Sequence, residues 1–466
     1  MSSKSSEELL TKTGGKPASK GVIKGKYSLS VGMPETVPPK GWHWVSLSNI
    51  ARLETGHTPS RKHPEYWGGE VPWIGIRDAT GNHGTTIFDT QQHTNDLGIR
   101  NSSARVLPAH TVCLSRTASV GYVVVMGCPM ATSQDFVNWV CSEAIDYRFL
   151  KYILLSEHDS MLRFSSGTTH QTIYFPEAKA FHVCIPEIGV QRGIADVLQS
   201  LDDRIASLRE TNSTLEAITQ ALFKSWFVDF DPVRAKMEGR LPAGMDESTA
   251  ALFPDRFEES ELGVMPKGWS VGTLGDVTHT IKKQIQPSEL HAGLNYVGLE
   301  HIPRKSLSLA DWDSAEGLES AKAAFGTGDI LFGKLRPYFH KVVVAPFDGV
   351  CSTDILVCNA KKPAYYGFSV MQLFSTSLID YAERLSNGAK MPRVGWKDLA
   401  DYKTVIPAEP IAAEYTRCIE AQLARMKANV HASQTLAALR DTLLPRLISG
   451  QLRLPEAEAQ IEGLAA

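Results

Sequence analysis

The chain has 466 residues, more than one hydrophobic core grows to fill, so two or three domains are expected. Its 43% hydrophobic and 21% charged residues are those of a folded globular protein. A net charge of -3 excludes a global attraction to nucleic acid, so any such binding has to come from local basic patches.

Residues 1–36, rich in Ser, Lys and Gly without an apolar run, read as a flexible N-terminal tail and not as a signal peptide or membrane anchor. The seven cysteines are scattered and never spaced as CxxC, which points to buried free thiols in a reducing cytoplasm and away from a zinc knuckle or disulfide framework.

From Val37 onward the chain is written twice. "VPPKGWHWVSLSNIARL" (37–53) is echoed by "VMPKGWSVGTLGDVTHT" (264–280), with Leu47 opposite Leu274. "PWIGIRD" (72–78) then faces "NYVGLEH" (295–301), aligning Gly75 with Gly298. "TVCLSRTASVGYVVV" (111–125) faces "DILFGKLRPYFHKVVV" (329–344), each an apolar strand, a basic turn and a second apolar strand. "TSQDF" (132–136) faces "CSTDI" (351–355), pairing Ser133 with Ser352 and Asp135 with Asp354. "SSGTTHQTI" (165–173) faces "LSNGAKMPRV" (385–394), and "VCIPE" (183–187) faces "TVIPA" (404–408). Six matches in one order imply a duplication with loop insertions. Short strands rich in Val, Ile and aromatics, with Gly, Pro, Asn and Asp at the turns, predict an α+β domain over 37–189 and again over 263–410. Helices are predicted within them at 147–155 and 369–385.

Each half ends in a long helix, 190–230 and 411–450. Ile194, Leu198, Leu201, Ile205, Leu208, Asn212, Leu215, Thr219, Leu222 and Trp226 follow alternating steps of four and three. So do Ile419, Leu423, Met426, Val430, Ser433, Ala437, Arg440, Leu444 and Leu447. At 1.5 Å per residue the run from Gln191 to about Phe227 is roughly 55 Å long. Two such seams predict an antiparallel pair, with Asn212 and Ser433 at corresponding polar positions that fix register. Phe223, Trp226, Phe227 and Phe230 close the first helix, to cap the pair or to give a partner protein an apolar docking surface, with Leu444 and Leu447 offering a second one. A basic turn (Arg234, Lys236, Arg240) opens a linker over 231–262, and residues 451–466 read as a second tail.

Side chains suited to base edges and phosphates recur at matching places in the two halves. Arg77, Arg116, Thr169, His170 and Gln171 are the candidates in the first, and Lys334, Arg336, Lys390 and Arg393 in the second. Gly167 and Gly388 would let backbone approach a ligand closely. No GxxxxGK[ST] phosphate loop is present, "DPVR" (231–234) lacks the second proline and aromatic of an amine methyltransferase motif, and no carboxylate cluster suits a nuclease. No catalytic, cofactor-binding or metal-ligating residue is therefore assigned.

"PKGW" at both repeat starts, "TGHTPS...YWGGEVPWI" (55–74), "GDILFGKLRPYFHKV" (328–342), "LFKSWFVDFDPVRAK" (222–236) and "LRDTLLPRLISGQL" (439–452) resemble the specificity subunit of type I restriction-modification enzymes. The resemblance implies two target-recognition domains separated by two antiparallel coiled-coil helices in a pseudo-two-fold repeat. Each domain would read one half of a bipartite, asymmetric site on double-stranded DNA, with the helices as a ruler for the spacer. It also implies a non-catalytic cytoplasmic subunit, with no membrane association, that docks two methyltransferase subunits and, through them, restriction/translocase subunits. S-adenosylmethionine would then belong to the methyltransferase, ATP and Mg to the restriction subunit. The alternative is a stand-alone two-domain DNA-binding regulator without an enzyme.

Overall fold

The computed structural model of the chain describes residues 21–117, 119–166, 171–386 and 391–465. It divides into two compact units, Arg204–Leu436 and the residues on either side of that segment. Three helices recur below: α1 (Tyr147–Ser156), α2 (Ile188–Phe227) and α3 (Glu409–Ile448), the last two of 40 residues each. The division falls inside both α2 and α3, so each unit holds a stretch of both.

In the unit containing both termini, strand His43–Ser46 lies antiparallel to Phe181–Ile185 and leads into a short helix, Leu47–Ile50, whose Leu47 is fully buried. A sheet follows in the order Ala51–Thr55, Phe136–Cys141, Val112–Ser115, Val123–Met126. Val123–Met126 is buried throughout, as suits a β-branched strand covered on both faces. One cover is α1, whose N-terminus is capped by Asp146 accepting from the amides of Arg148 and Phe149.

The other face of α1 grips the long helices. The Lys151 ammonium, only 2% exposed, donates to Gln199 at 2.9 Å and lies 3.7 Å from Asp202. Tyr152 donates to Asp202 at 2.7 Å, and Arg440 of α3 reaches Asp202 at 2.8 Å. Arg440, a polar intruder in the expected seam, shares Asp202 with the buried Lys151, and the carboxylate offsets a buried charge that would be costly alone.

Two expected tails are parts of this unit. Strands Ile23–Lys24 and Leu29–Val31 join the sheet of Phe181–Ile185, so this part of the flexible tail expected over 1–36 is sheet instead. Their turn is fixed by the fully buried Glu157, which accepts from the amides of Lys26, Tyr27 and Ser28 at 2.7, 2.5 and 2.9 Å. Gly25 is required there, since a Cβ would sit 2.4 Å from the Leu29 carbonyl oxygen. At the other terminus Leu454–Ala465 is helical, with Leu452 and Ala457 buried.

The Arg204–Leu436 unit repeats the plan. Strand Ser270–Thr273 pairs antiparallel with Lys403–Ile406, and buried Leu274 opens helix Leu274–Val277. The sheet order is Thr278–Thr280, Ile355–Ala360, Ile330–Gly333, Val342–Val344, the counterpart of the first. A parallel pair recurs in each unit, Trp67–Ile74 with Ala131–Thr132 and Asn295–Val297 with Gly349–Cys351, and the first unit adds Thr86–Ile87 alongside Val123–Met126. The helix expected over 369–385 is two, Tyr366–Phe374 and Thr376–Leu385, because Ser375 is extended and its hydroxyl accepts from the Leu378 amide.

Within this unit α2 and α3 run antiparallel: Tyr415 donates to the Thr219 carbonyl at 3.0 Å, and Asn212 to that of Met426 at 3.1 Å. Asn212 finds its side-chain partner in Asn429, which donates to it at 2.8 Å. The expected counterpart Ser433 bonds instead to the Val430 carbonyl of its own helix. Asn429 sits one residue before a seam position, beyond the reach of a strict four-three count.

The aromatic cluster is core. Phe223, Trp226, Phe227 and Phe230 are all buried, and Phe227 alone stacks within 5.9 Å of Trp269, 5.2 Å of Phe368 and 4.9 Å of Tyr415. They offer no surface to a partner, which corrects the docking role expected of them. Leu447, fully buried in its own unit, is corrected likewise, while Leu444 is half-buried. The expected linker 231–262 folds onto the same core through helices Asp231–Met237 and Glu247–Leu252, with Val233 and Phe253 buried. All seven cysteines are free, four of them buried and Cys128, Cys141 and Cys418 half-buried.

Candidate nucleic-acid interface

The basic turns of the two repeats are built on one hydrogen-bonding frame. In the first, the Arg116 amide donates to the Asp135 carbonyl at 2.7 Å and the Ile173 amide to the Arg116 carbonyl at 2.9 Å. In the second, the Lys334 amide donates to the Asp354 carbonyl at 3.0 Å and the Val394 amide to the Lys334 carbonyl at 3.1 Å. Ser133 and Ser352 accept from the amides of Asp135 and Asp354, each at 3.2 Å. Their own amides reach the Ile74 and Val297 carbonyls at 3.0 and 2.9 Å. Short bridges, Thr117 with Thr172 and Leu335 with Arg393, close both turns. The Ser and Asp aligned by sequence therefore organise the loop, and the cation beside them is presented by it.

The loops differ where the frame leaves them free. In the first repeat, Arg116 is half-buried and its Nε donates to the Gln134 carbonyl at 3.1 Å. Burial pulls its guanidinium below the usual value, against the opposing pull of Asp135. Gln171 is exposed and accepts from Ser165 at 2.5 Å. Arg77 is exposed on helix Ile76–Gly81. The parallel register of Ile74 with Thr132 brings Arg77 and Gln134 out at the same end of their strands. Arg61, part of a basic stretch with Lys62 and His63, stacks 4.4 Å over Trp67 and 5.3 Å over Trp73 while donating to Gln92 at 2.8 Å.

In the second repeat, Lys334 is half-buried and Arg336 and Arg393 are exposed. The amide of Arg336 bonds to the Pro392 carbonyl at 2.8 Å, and Arg393 pairs with Asp354 at 3.2 Å, so the three stand at one place. Sequence reasoning passed over Arg304, which lies 3.9 Å over the Phe339 ring, and Lys305, whose amide bonds to the His340 carbonyl at 2.9 Å. Their signal was a basic pair, "PRKS" at 303–306, just after the repeat match "NYVGLEH" (295–301). Thr169, His170 and Lys390, with Gly167 and Gly388, lie outside the described residues.

The family model described as "Type I restriction modification DNA specificity domain" matches residues 39–217. The Type I restriction enzyme MjaIX specificity subunit of Methanocaldococcus jannaschii is 25% identical over 430 residues, covering 90% of this chain and 95% of that one. The Type I restriction enzyme EcoDI specificity subunit of Escherichia coli is 24% identical over 398 residues, covering 82% of this chain and 81% of its own. The chain is thus similar over most of its length to type I restriction enzyme specificity subunits. The fold agrees: the crystal structure of a type I restriction-modification system S subunit from M. genitalium aligns with a TM-score of 0.51 over 87% of this chain and 96% of that one, at 15% identity. The matched family segment covers one repeat of this chain, and the shared hydrogen-bonding frame extends the same construction to the other. Among the described residues no helix is long and apolar enough to cross a membrane.

Proposed function

We propose that this specificity subunit reads a bipartite DNA sequence, one half through the loops around Arg77, Arg116 and Gln171 and the other through those around Lys334, Arg336 and Arg393. Thr169, His170 and Lys390 belong to the same proposal by their places in the sequence. The observation that carries it is the frame shared by the two units, which offers a cation and neighbouring amide or hydroxyl side chains at one place in each repeat. Because the loops on that frame differ, the two half-sites differ.

The subunit does no chemistry itself. It joins a restriction-modification complex in the cytoplasm, with two methyltransferase subunits that bring S-adenosylmethionine and restriction/translocase subunits that bring ATP and Mg. With the aromatic cluster committed to the core, docking falls to exposed side chains.

The test is a genome-wide map of adenine methylation in a methylation-free host expressing this chain with its adjacent methyltransferase, against the methyltransferase alone. A split, asymmetric motif seen only with both is the expected result. An identical methylation pattern in the two strains would reject the proposal.

A further inference from the structure

Among the described residues only five other than glycine have positive φ, and three of them, Lys305 (53°), Arg336 (52°) and His340 (51°), meet at one corner of the Arg204–Leu436 unit. Left-handed backbone is unfavourable for such side chains and persists only where the surroundings enforce it. Here they do. The Lys305 amide bonds to the His340 carbonyl at 2.9 Å, and the buried His340 ring bonds through Nε2 to the Phe374 carbonyl at 2.8 Å. Between Arg336 and His340 the chain makes one tight turn, Pro337–Phe339, closed by the Phe339 amide on the Arg336 carbonyl and the His340 amide on the Pro337 carbonyl, at 2.9 and 2.8 Å.

The consequence is a presented ring. Pro337 is buried and Phe339 is half-buried, with Arg304 at 3.9 Å and Arg336 at 6.0 Å over its face. Tyr338 stands out beside them, 44% exposed, its ring 4.7 Å from that of Phe339. Met391, 51% exposed, adjoins Pro392 and Arg393, which the Arg336 amide and the Leu335 bridge hold against this turn. An exposed aromatic ring packed beside a ring that carries two cations on its face, on a turn held by strained backbone, matches the chemistry of a nucleic-acid base, with a π-face to stack and phosphates nearby.

We propose that Tyr338 is a specificity-determining residue that contacts a base of the half-site read by this unit, while Arg336 and Lys334 hold the adjacent phosphates. The inference rests on the DNA-reading function proposed above and adds a residue to it. It also predicts an asymmetry. The corresponding turn of the first repeat, residues 116–120, reads RTASV and has no aromatic residue, so the contact belongs to one half-site alone.

The experiment uses the full-length chain, its Tyr338→Ala and Tyr338→Phe variants, and duplexes carrying the mapped site with each base pair replaced in turn, at several salt concentrations. Tyr338→Ala should lower discrimination about 5- to 100-fold at one or two adjacent positions of one half-site. The salt slope and the other half-site should stay as in wild type, and Tyr338→Phe should retain most of the discrimination. Wild-type preferences that survive Tyr338→Ala, or a uniform loss with a reduced salt slope, would overturn the inference while leaving the DNA-reading function standing. A wild-type chain without preference among the duplexes would overturn both.

Discussion

Glu216 shows how one side chain ties a long helix to a loop. It is buried, and its Oε1 accepts from the hydroxyls of Ser306 and Ser308 and the amides of Leu307 and Ser308, all between 2.9 and 3.0 Å. Burial raises its pKa above the usual carboxylate value, against the opposing effect of these bonds. A raised folded pKa means the folded state favours the proton, so the group's contribution to stability is full below the ordinary carboxylate pKa and is lost as pH rises through the folded value. Glu216→Gln keeps the acceptor and abolishes that dependence. The stability of wild type relative to Glu216→Gln should therefore fall as pH rises above the ordinary carboxylate range in denaturant titrations, and parallel curves would clear Glu216 as the source. Glu216→Ala strands the donors and should cost about 1–3 kcal/mol at neutral pH.

Among the elements, the end of α2 best separates what sequence discloses from what it hides. The four-three spacing located the helices and their seam: Ile194, Leu198, Leu201, Ile205, Leu208, Asn212, Thr219 and Trp226 are all buried. Nothing in that spacing reveals what lies across from Phe223 or Phe227, because their neighbours Trp269, Phe368 and Tyr415 are far away in the chain. An aromatic cluster at a helix end reads the same whether it meets a partner or its own domain, and here it meets the domain. Phe227→Ala should thus destabilise the isolated chain by about 3–5 kcal/mol in denaturant unfolding; an unchanged stability with lost methyltransferase binding would restore the docking role. The tails were misjudged for a related reason. Strands of two and three residues, Ile23–Lys24 and Leu29–Val31, are too short to show a period, and Glu157, which fixes their turn, is over a hundred residues away.

For the whole molecule, the duplication was legible because two of its aligned pairs, Ser133 with Ser352 and Asp135 with Asp354, carry the shared frame. The basic turns were legible as well, but not Arg304 stacked on Phe339 or Arg393 paired with Asp354, which depend on tertiary placement. Strand Ser270–Thr273 pairs with Lys403–Ile406, so the segment between opens and closes on one ladder. If the proposed function holds, exchanging residues 264–408 for those of a type I specificity subunit should therefore rewrite one half of the methylated motif and leave the other intact. Methylation mapping of the chimera reads the result directly, and changes in both halves would deny the domains their autonomy.

The frame itself bears on how such a protein changes. The bonds that fix Arg116 and Lys334 in their loops run through main-chain amides and carbonyls, and a main-chain bond is indifferent to the side chain it carries. Substitutions at these positions leave the scaffold's closure intact, so new recognition sequences are reachable by point changes or short insertions without passing through an unfolded ancestor. A duplicated frame doubles that latitude: one copy can drift toward a new half-site while the other keeps its old one.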